Sequence, residues 1–289
     1  MCTVKPGLSV LFISALATAM VLPSCRTAAR PDSPASAAPS AYLGFDLNIY
    51  PGDAALPILR KTFAFGGYWL SSPLGEKRNT WTGKRALMRA QGFGFLLLYL
   101  ARGTHELKVY ADAVEKGSLD ARNAASAAKS EGFASQSVIF LDIEEGGRLP
   151  AIYHVYIRAW ATELARAGYR AGVYCSGIPV SEGPSLSITT AEDIRARAPS
   201  SDLVFFIYND VCPPSPGCTF PQNPPLPTAS GISDASIWQF AQSPRRKEFT
   251  AHCQPGYNAD GNCYAPGDTA HAWFLDVSSA ASPDPSSGR

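Results

Sequence analysis

The chain has 289 residues, a formal net charge of +1, 17% charged residues and 46% hydrophobic ones. That balance excludes a disordered polyelectrolyte and supplies enough apolar mass for a sizeable core. It also excludes nucleic-acid binding by bulk charge, since the basic run Arg245, Arg246 and Lys247 is short and reads as a solvated loop.

In chain order, the first segment stands apart from the fold. Lys5 precedes an apolar run from Leu8 to Leu22, followed by Pro23, Ser24 and Cys25. A basic start, an apolar centre and a small-residue break describe a secretory signal over residues 1–25. Its Leu-Pro-Ser-Cys tail resembles a bacterial lipobox, which makes Cys25 the expected lipidation site; ordinary cleavage nearby is the alternative. Residues 26–40 are Ala, Pro and Ser with little else and read as a tether. No later apolar run is long enough to span a membrane. The expected location is therefore the bacterial cell envelope, lipid-anchored or else periplasmic or secreted, with membrane contact only through that anchor.

From residue 41 to 280 short apolar runs alternate with amphipathic segments. The spacing predicts strands at Tyr42–Leu47, Ala64–Leu70, Gly94–Leu100, Ser137–Ile143, Ala171–Ser176, Leu203–Tyr208, Ser236–Phe240 and Ala272–Val277. It predicts helices at Lys84–Gln91, Ala121–Ser130, Ile152–Ala167 and Ala191–Arg197. The third helix is the clearest. Ile152, Val155, Tyr156, Ala159, Trp160, Leu164 and Ala167 recur at helical steps, with Pro150 at the start and Gly168 where a left-handed residue ends a helix. The strands are apolar almost throughout, as parallel strands covered on both faces are. Eight such units in about 240 residues match a closed (β/α)₈ TIM-type barrel. An open doubly wound sheet fits less well, because no glycine-rich phosphate loop follows the first strand. Between Asn209 and Ile232 there is little helical periodicity, so some outer helices are expected to be short or missing. Residues 281–289 (ASPDPSSGR) read as a disordered tail.

Four of the seven cysteines flank turns: Cys212 with Cys218, and Cys253 with Cys263. In an oxidising compartment they read as two local disulfides, while Cys175 reads as a buried free thiol. A metal site is the rival reading and lacks histidine ligands at suitable spacing. No cofactor or metal is expected, and a monomer is.

The active site of such a barrel lies at the C-terminal ends of its strands. The first strand ends on Asp46 and Asn48, the fourth on Asp142 and Glu144, the eighth on Asp276. Asp142 and Glu144 are two apart, so they share a face with Cα atoms roughly 6.6 Å apart, while Glu145 points away and is solvent-facing or capping. Paired carboxyls at such a separation suit cleavage of a glycosidic bond, retaining or inverting. Crowded acids raise at least one pKa and leave a group able to protonate a leaving oxygen. Aromatic and amide groups at strand ends complete a sugar site: Tyr68 and Trp69, Tyr99, Tyr174, Tyr208, Trp238 and Gln239.

These motifs in this order (GFD at Gly44–Asp46, Asp-x-Glu at Asp142–Glu144, GVY at Gly172–Tyr174, Trp238-Gln239-Phe240, and Asp276) resemble family-25 glycoside hydrolases, the muramidases of the Chalaropsis lysozyme type. The stretches FGGYWL, WTGKRALMRAQGFGFLLLY, LDARNAASAAKSEGF and YRAGVYCSG are similar to a related glycoside-hydrolase-like family, domain of unknown function 1906. The resemblance implies Glu144 as general acid and Asp142 as its partner, orienting an N-acetyl group or activating water. It implies Asp46 and Asp276 as acids that shape the pocket, and cell-wall glycan or another polysaccharide as the partner. Tyr99 departs from the lysozyme pattern, being followed by Leu-Ala rather than an aromatic residue or histidine. Two readings stand: a hydrolase of cell-wall glycan, and a non-catalytic glycan-binding or structural lipoprotein on the same barrel. A metal-dependent deacetylase or amidase would need ligand spacing that the sequence lacks.

Overall fold

A computed structural model describes residues 41–198, 203–212, 223–241 and 275–289, with backbone only at 210–212. Eight strands close into a barrel: β1 (Tyr42–Asp46), β2 (Phe65–Trp69), β3 (Gly94–Leu100), β4 (Val138–Asp142), β5 (Arg170–Ser176), β8 (Val204–Cys212), β9 (Ala235–Ala241) and β10 (Asp276–Ala280). A separate hairpin, β6 (Val180–Gly183) and β7 (Leu186–Ile188), interrupts the order after β5 and was not foreseen. Among the described residues the helices are few. They are α1 (Leu56–Leu59), α2 (Arg85–Ala90), α3 (Tyr110–Glu131), α4 (Ala151–Arg166) and α5 (Thr190–Arg197). Between β8 and β9 the described residues hold only a 3-10 turn, Pro227–Ser230. None of the helices among the described residues is long and apolar enough to cross a membrane.

Neighbouring strands are parallel from β1 through β2, β3, β4, β5 and β8 to β9. The last strand corrects the expectation. It covers Asp276–Ala280 instead of ending at Val277, and it runs antiparallel to both β1 and β9. Asp276 therefore starts its strand, and it pairs with Asp46 at the end of β1. The reversed direction brings it to the rim that the sequence reading reached by a parallel strand.

Helix α3 is 22 residues long, beginning eleven residues before the helix expected at Ala121. Gly117 broke the helical signal. It is in the helix because α4 crosses there: a Cβ on it would lie 2.4 Å from the carbonyl oxygen of Tyr156.

The tail at 281–289 is folded, not disordered. It crosses the barrel floor where β3 and β4 begin. Phe95 N–H donates to Asp284 Oδ1 (2.8 Å), Leu97 N–H to Ser286 Oγ (2.9 Å), and Val138 N–H to the Ser286 carbonyl (2.9 Å). Ser286 is fully buried. Composition alone marks Ser, Pro and Gly as loop formers, but the unpaired strand ends supply the partners that order them.

Candidate active site

Alternation along each strand decides what reaches the barrel mouth. Asp46, Trp69, Leu98, Asp142, Tyr174, Phe206, Gln239 and Asp276, all from barrel strands, line one cleft of about 420 Å³ that opens to solvent. Asn48, Leu74 and Glu144 add the loop residues above them. The interior beneath is filled by close ring packing. Phe140 and Phe206 meet edge to face at 6.0 Å, and Phe206 meets Tyr174 at 4.7 Å. Next to β1, Gly67 makes room for Asp46; a Cβ there would lie 2.5 Å from the Asp46 Cβ.

The four acids thus converge. Asp46 and Asp276 face each other across paired strands, with Cα atoms roughly 4.5–5.5 Å apart. Both Asp46 and Asp142 are buried, whereas Glu144 is exposed just beyond the end of β4. The Tyr174 hydroxyl reports their field. Enclosure, then the charges of Asp142, Asp276, Glu144 and Asp46, push it well above the usual tyrosine range. It stays protonated and donates to Gln239 Oε1 at 2.6 Å. That bond leaves the Gln239 amide N–H₂ for other acceptors.

The turn after β1 is fixed from outside. Trp69 Nε1 and Trp81 Nε1 both donate to the Leu47 carbonyl, at 3.1 and 3.0 Å. Asn48 Nδ2 donates to the Leu74 carbonyl at 3.1 Å. A second cavity of about 480 Å³ adjoins the cleft and shares Leu74 and Glu144 with it. Its other walls include Leu100, Arg102, His105, Glu106, Glu145 and Tyr153. Glu145 behaves as a cap: its Oε1 accepts from Thr104 N–H at 2.7 Å, at the start of a short 3-10 turn.

Several expected sugar-binding residues face elsewhere. Tyr68 points outward to α3, donates to Glu131 Oε2 at 2.6 Å and packs on Phe133. Tyr99 also points outward, stacking on Trp160 of α4 with ring centres 5.4 Å apart. Trp238 donates from Nε1 to Asn209 Oδ1 at 2.7 Å and does not line the cleft. Tyr208 is partly exposed beside the cleft, its ring centre 6.4 Å from that of Tyr174. Of these rings the cleft keeps Trp69, and it adds Leu98 and Phe206, which strand parity identifies once Asp142 is set inward. Leu74, in a loop, carries no such signal.

Among the described residues no group of three or more His, Cys, Asp and Glu side chains could hold a metal ion. Cys175 is a buried free thiol. Cys25, Cys218, Cys253, Cys263 and the Cys212 side chain lie outside the described residues.

The closed barrel opens at its strand ends on a cleft lined by four acids. Residues 71–203 match the profile of the family described as Rv2525c-like, glycoside hydrolase-like domain. No curated protein matches the chain. Solved structures of like shape include an uncharacterized B. stearothermophilus protein, with TM-score 0.52 and 18% identity over 82% of this chain and 94% of that one. They also include the Clostridium perfringens spore cortex lytic enzyme SleM, with TM-score 0.51 and 14% identity over 86% of this chain and 70% of that one. The Mycobacterium tuberculosis Tat-secreted protein Rv2525c in complex with L-tartrate has TM-score 0.46 and 12% identity over 83% of this chain and 95% of that one. At 18% and 14% identity the first two likenesses show the fold alone.

Proposed function

We propose that the protein is an exported glycoside hydrolase acting on cell-wall glycan, with peptidoglycan as the foremost substrate. The observation that carries this reading is the position of Glu144, on the wall between two adjoining cavities and two residues beyond Asp142. A polymer lying across both cavities would place one of its linkages beside Glu144. In this reading Glu144 protonates the leaving oxygen. Asp142 orients the substituent next to the reacting carbon or activates water. Asp46 and Asp276 hold negative charge under the developing oxocarbenium ion. Crowding of four carboxylates favours retention of one proton among them, which supplies the acid. Tyr174 and Gln239 bind and orient the sugar. Trp69 gives a flat wall for its face.

The family description and the fold shared with a spore cortex lytic enzyme support this assignment. The N-terminal signal and the 26–40 tether support export, with Cys25 as the lipid anchor and the two cysteine pairs closed as disulfides. The test is release of soluble fragments from purified sacculi, where Glu144→Gln is expected to cut release by about 10²–10⁴-fold. Sacculi left intact by the wild-type protein would overturn the assignment. Glycan binding retained without cleavage would instead make the barrel a binding module.

A further inference from the structure

Asp193 takes no part in the chemistry above, and it lies in the first turn of α5 with its side chain fully buried. Its Oδ2 accepts from Leu149 N–H at 2.8 Å and bonds His154 Nε2 at 2.9 Å. Its Oδ1 meets Arg148 Nη1 at 3.2 Å and Arg197 Nε at 3.5 Å. Two of these partners, Arg148 and Leu149, belong to the segment between β4 and α4, and Glu144 stands second in that segment.

The same segment is tied at other points. Ile143 N–H makes the last strand-like bond, to the Tyr174 carbonyl at 3.0 Å. The Glu145 carbonyl accepts from Thr190 Oγ1 of α5 at 3.4 Å. Gly147 has φ of +69° and lies under Val180 of β6, where a Cβ would be 3.1 Å from that side chain. Arg148 also grips Glu182 of β6 through two bonds of 2.6 and 2.7 Å. The ties at 145–149 fix the backbone that follows Glu144. Among them Asp193 is the one fully buried charge, and buried charges held by several donors are rigid posts that are costly to disturb.

We infer that Asp193 is a positioning residue for Glu144, a buried post on α5 that sets where the acid stands over the cleft. This rests on the assignment of Glu144 as the general acid. Only an anion satisfies this set of donors. Asparagine would keep the size but turn an N–H₂ toward Leu149 N–H, Arg148 or Arg197.

The test compares full-length wild type, Asp193→Asn and Arg148→Gln on solubilised peptidoglycan glycan strands. Asp193→Asn is expected to lower kcat about 10- to 100-fold, the scale of a 1 Å misplacement, with KM within about twofold. Arg148→Gln, at a site 44% exposed, is expected to fold normally and to lower kcat by a smaller factor with KM again unchanged. A purely structural role would lower thermal stability and leave kcat per folded molecule intact, and wild-type kcat in both folded variants would overturn the inference. If wild type shows no turnover, the catalytic assignment fails separately, and amide exchange decides positioning. Exchange at 144–149 is then expected to rise about tenfold or more in Arg148→Gln with β4 and β5 unchanged; unchanged exchange there overturns it.

Discussion

Deleting Pro283–Arg289 tests the account of the barrel floor. Three strand N–H groups lose their acceptors: Phe95 to Asp284, Leu97 to Ser286 Oγ and Val138 to the Ser286 carbonyl. The Ser137 hydroxyl also loses the Ser287 carbonyl, and Arg85 loses the Gly288 carbonyl. A replaced bond costs about 1 kcal/mol, and a donor left buried without a partner about 1–3 kcal/mol. The three strand groups alone sum to roughly 3–9 kcal/mol, with the two outer bonds adding little. For a domain this size each kcal/mol moves Tm by roughly 2–4 °C, so a fall of about 6–36 °C is expected. Thermal unfolding followed by circular dichroism measures it. The narrower substitution Ser286→Ala removes only the hydroxyl bond to Leu97 and is expected to cost about 1–3 kcal/mol. A truncated chain that melts within about 2 °C of the full one would refute the reasoning, since it would mean that water serves these strand ends as well as the tail does.

Three further outcomes are expected. Gly67→Ala puts a methyl 2.5 Å from the Asp46 Cβ and 3.1 Å from its Cα, on a neighbouring strand that cannot yield. It should cost about 1–3 kcal/mol in urea unfolding and impair glycan cleavage, while Gly146→Ala, with open space around it, is expected to be neutral. Tyr174→Phe removes the 2.6 Å bond to Gln239 and frees that amide to turn; glycan affinity measured by calorimetry should fall by about 1 kcal/mol with little change in Tm. His154 is held below the usual histidine range, chiefly by burial, although Asp193 opposes the shift. The folded state thus binds the proton less readily than the unfolded chain. The stability this gives is full above the unfolded value near pH 6.5 and declines as pH falls from there toward the lower folded value. Urea midpoints measured across that window should decline for wild type and decline less for His154→Gln.

Most strands were legible because a strand buried on both faces writes an uninterrupted apolar run, as Phe65–Trp69 and Gly94–Leu100 do. The acids were legible because Asp46, Asp142 and Glu144 break such runs at their ends. What stayed hidden has physical causes. Strand direction is not written in an apolar run, so the antiparallel β10 could not be told from a parallel one. Alternation along a strand separates neighbours: Tyr68 and Trp69 are adjacent and cannot both face the cleft, nor can Trp238 and Gln239. In each pair it is the second residue that faces inward. Tyr99 fails by the same parity, since Leu98 lines the cleft. The clamp on the Glu144 segment was invisible because Asp193, Arg148 and Glu182 come from three elements whose proximity only the folded chain creates.

The central claim is that a glycosidic oxygen meets Glu144 at the wall between the two cavities. Its most direct test is a crystal structure of Glu144→Gln with a cell-wall glycan oligosaccharide bound. The account predicts a chain crossing both cavities, with one glycosidic oxygen about 2.6–3.2 Å from the side chain at position 144. A chain bound elsewhere, or one whose glycosidic oxygens all lie beyond hydrogen-bond reach of that side chain and of any bridging water, would contradict it.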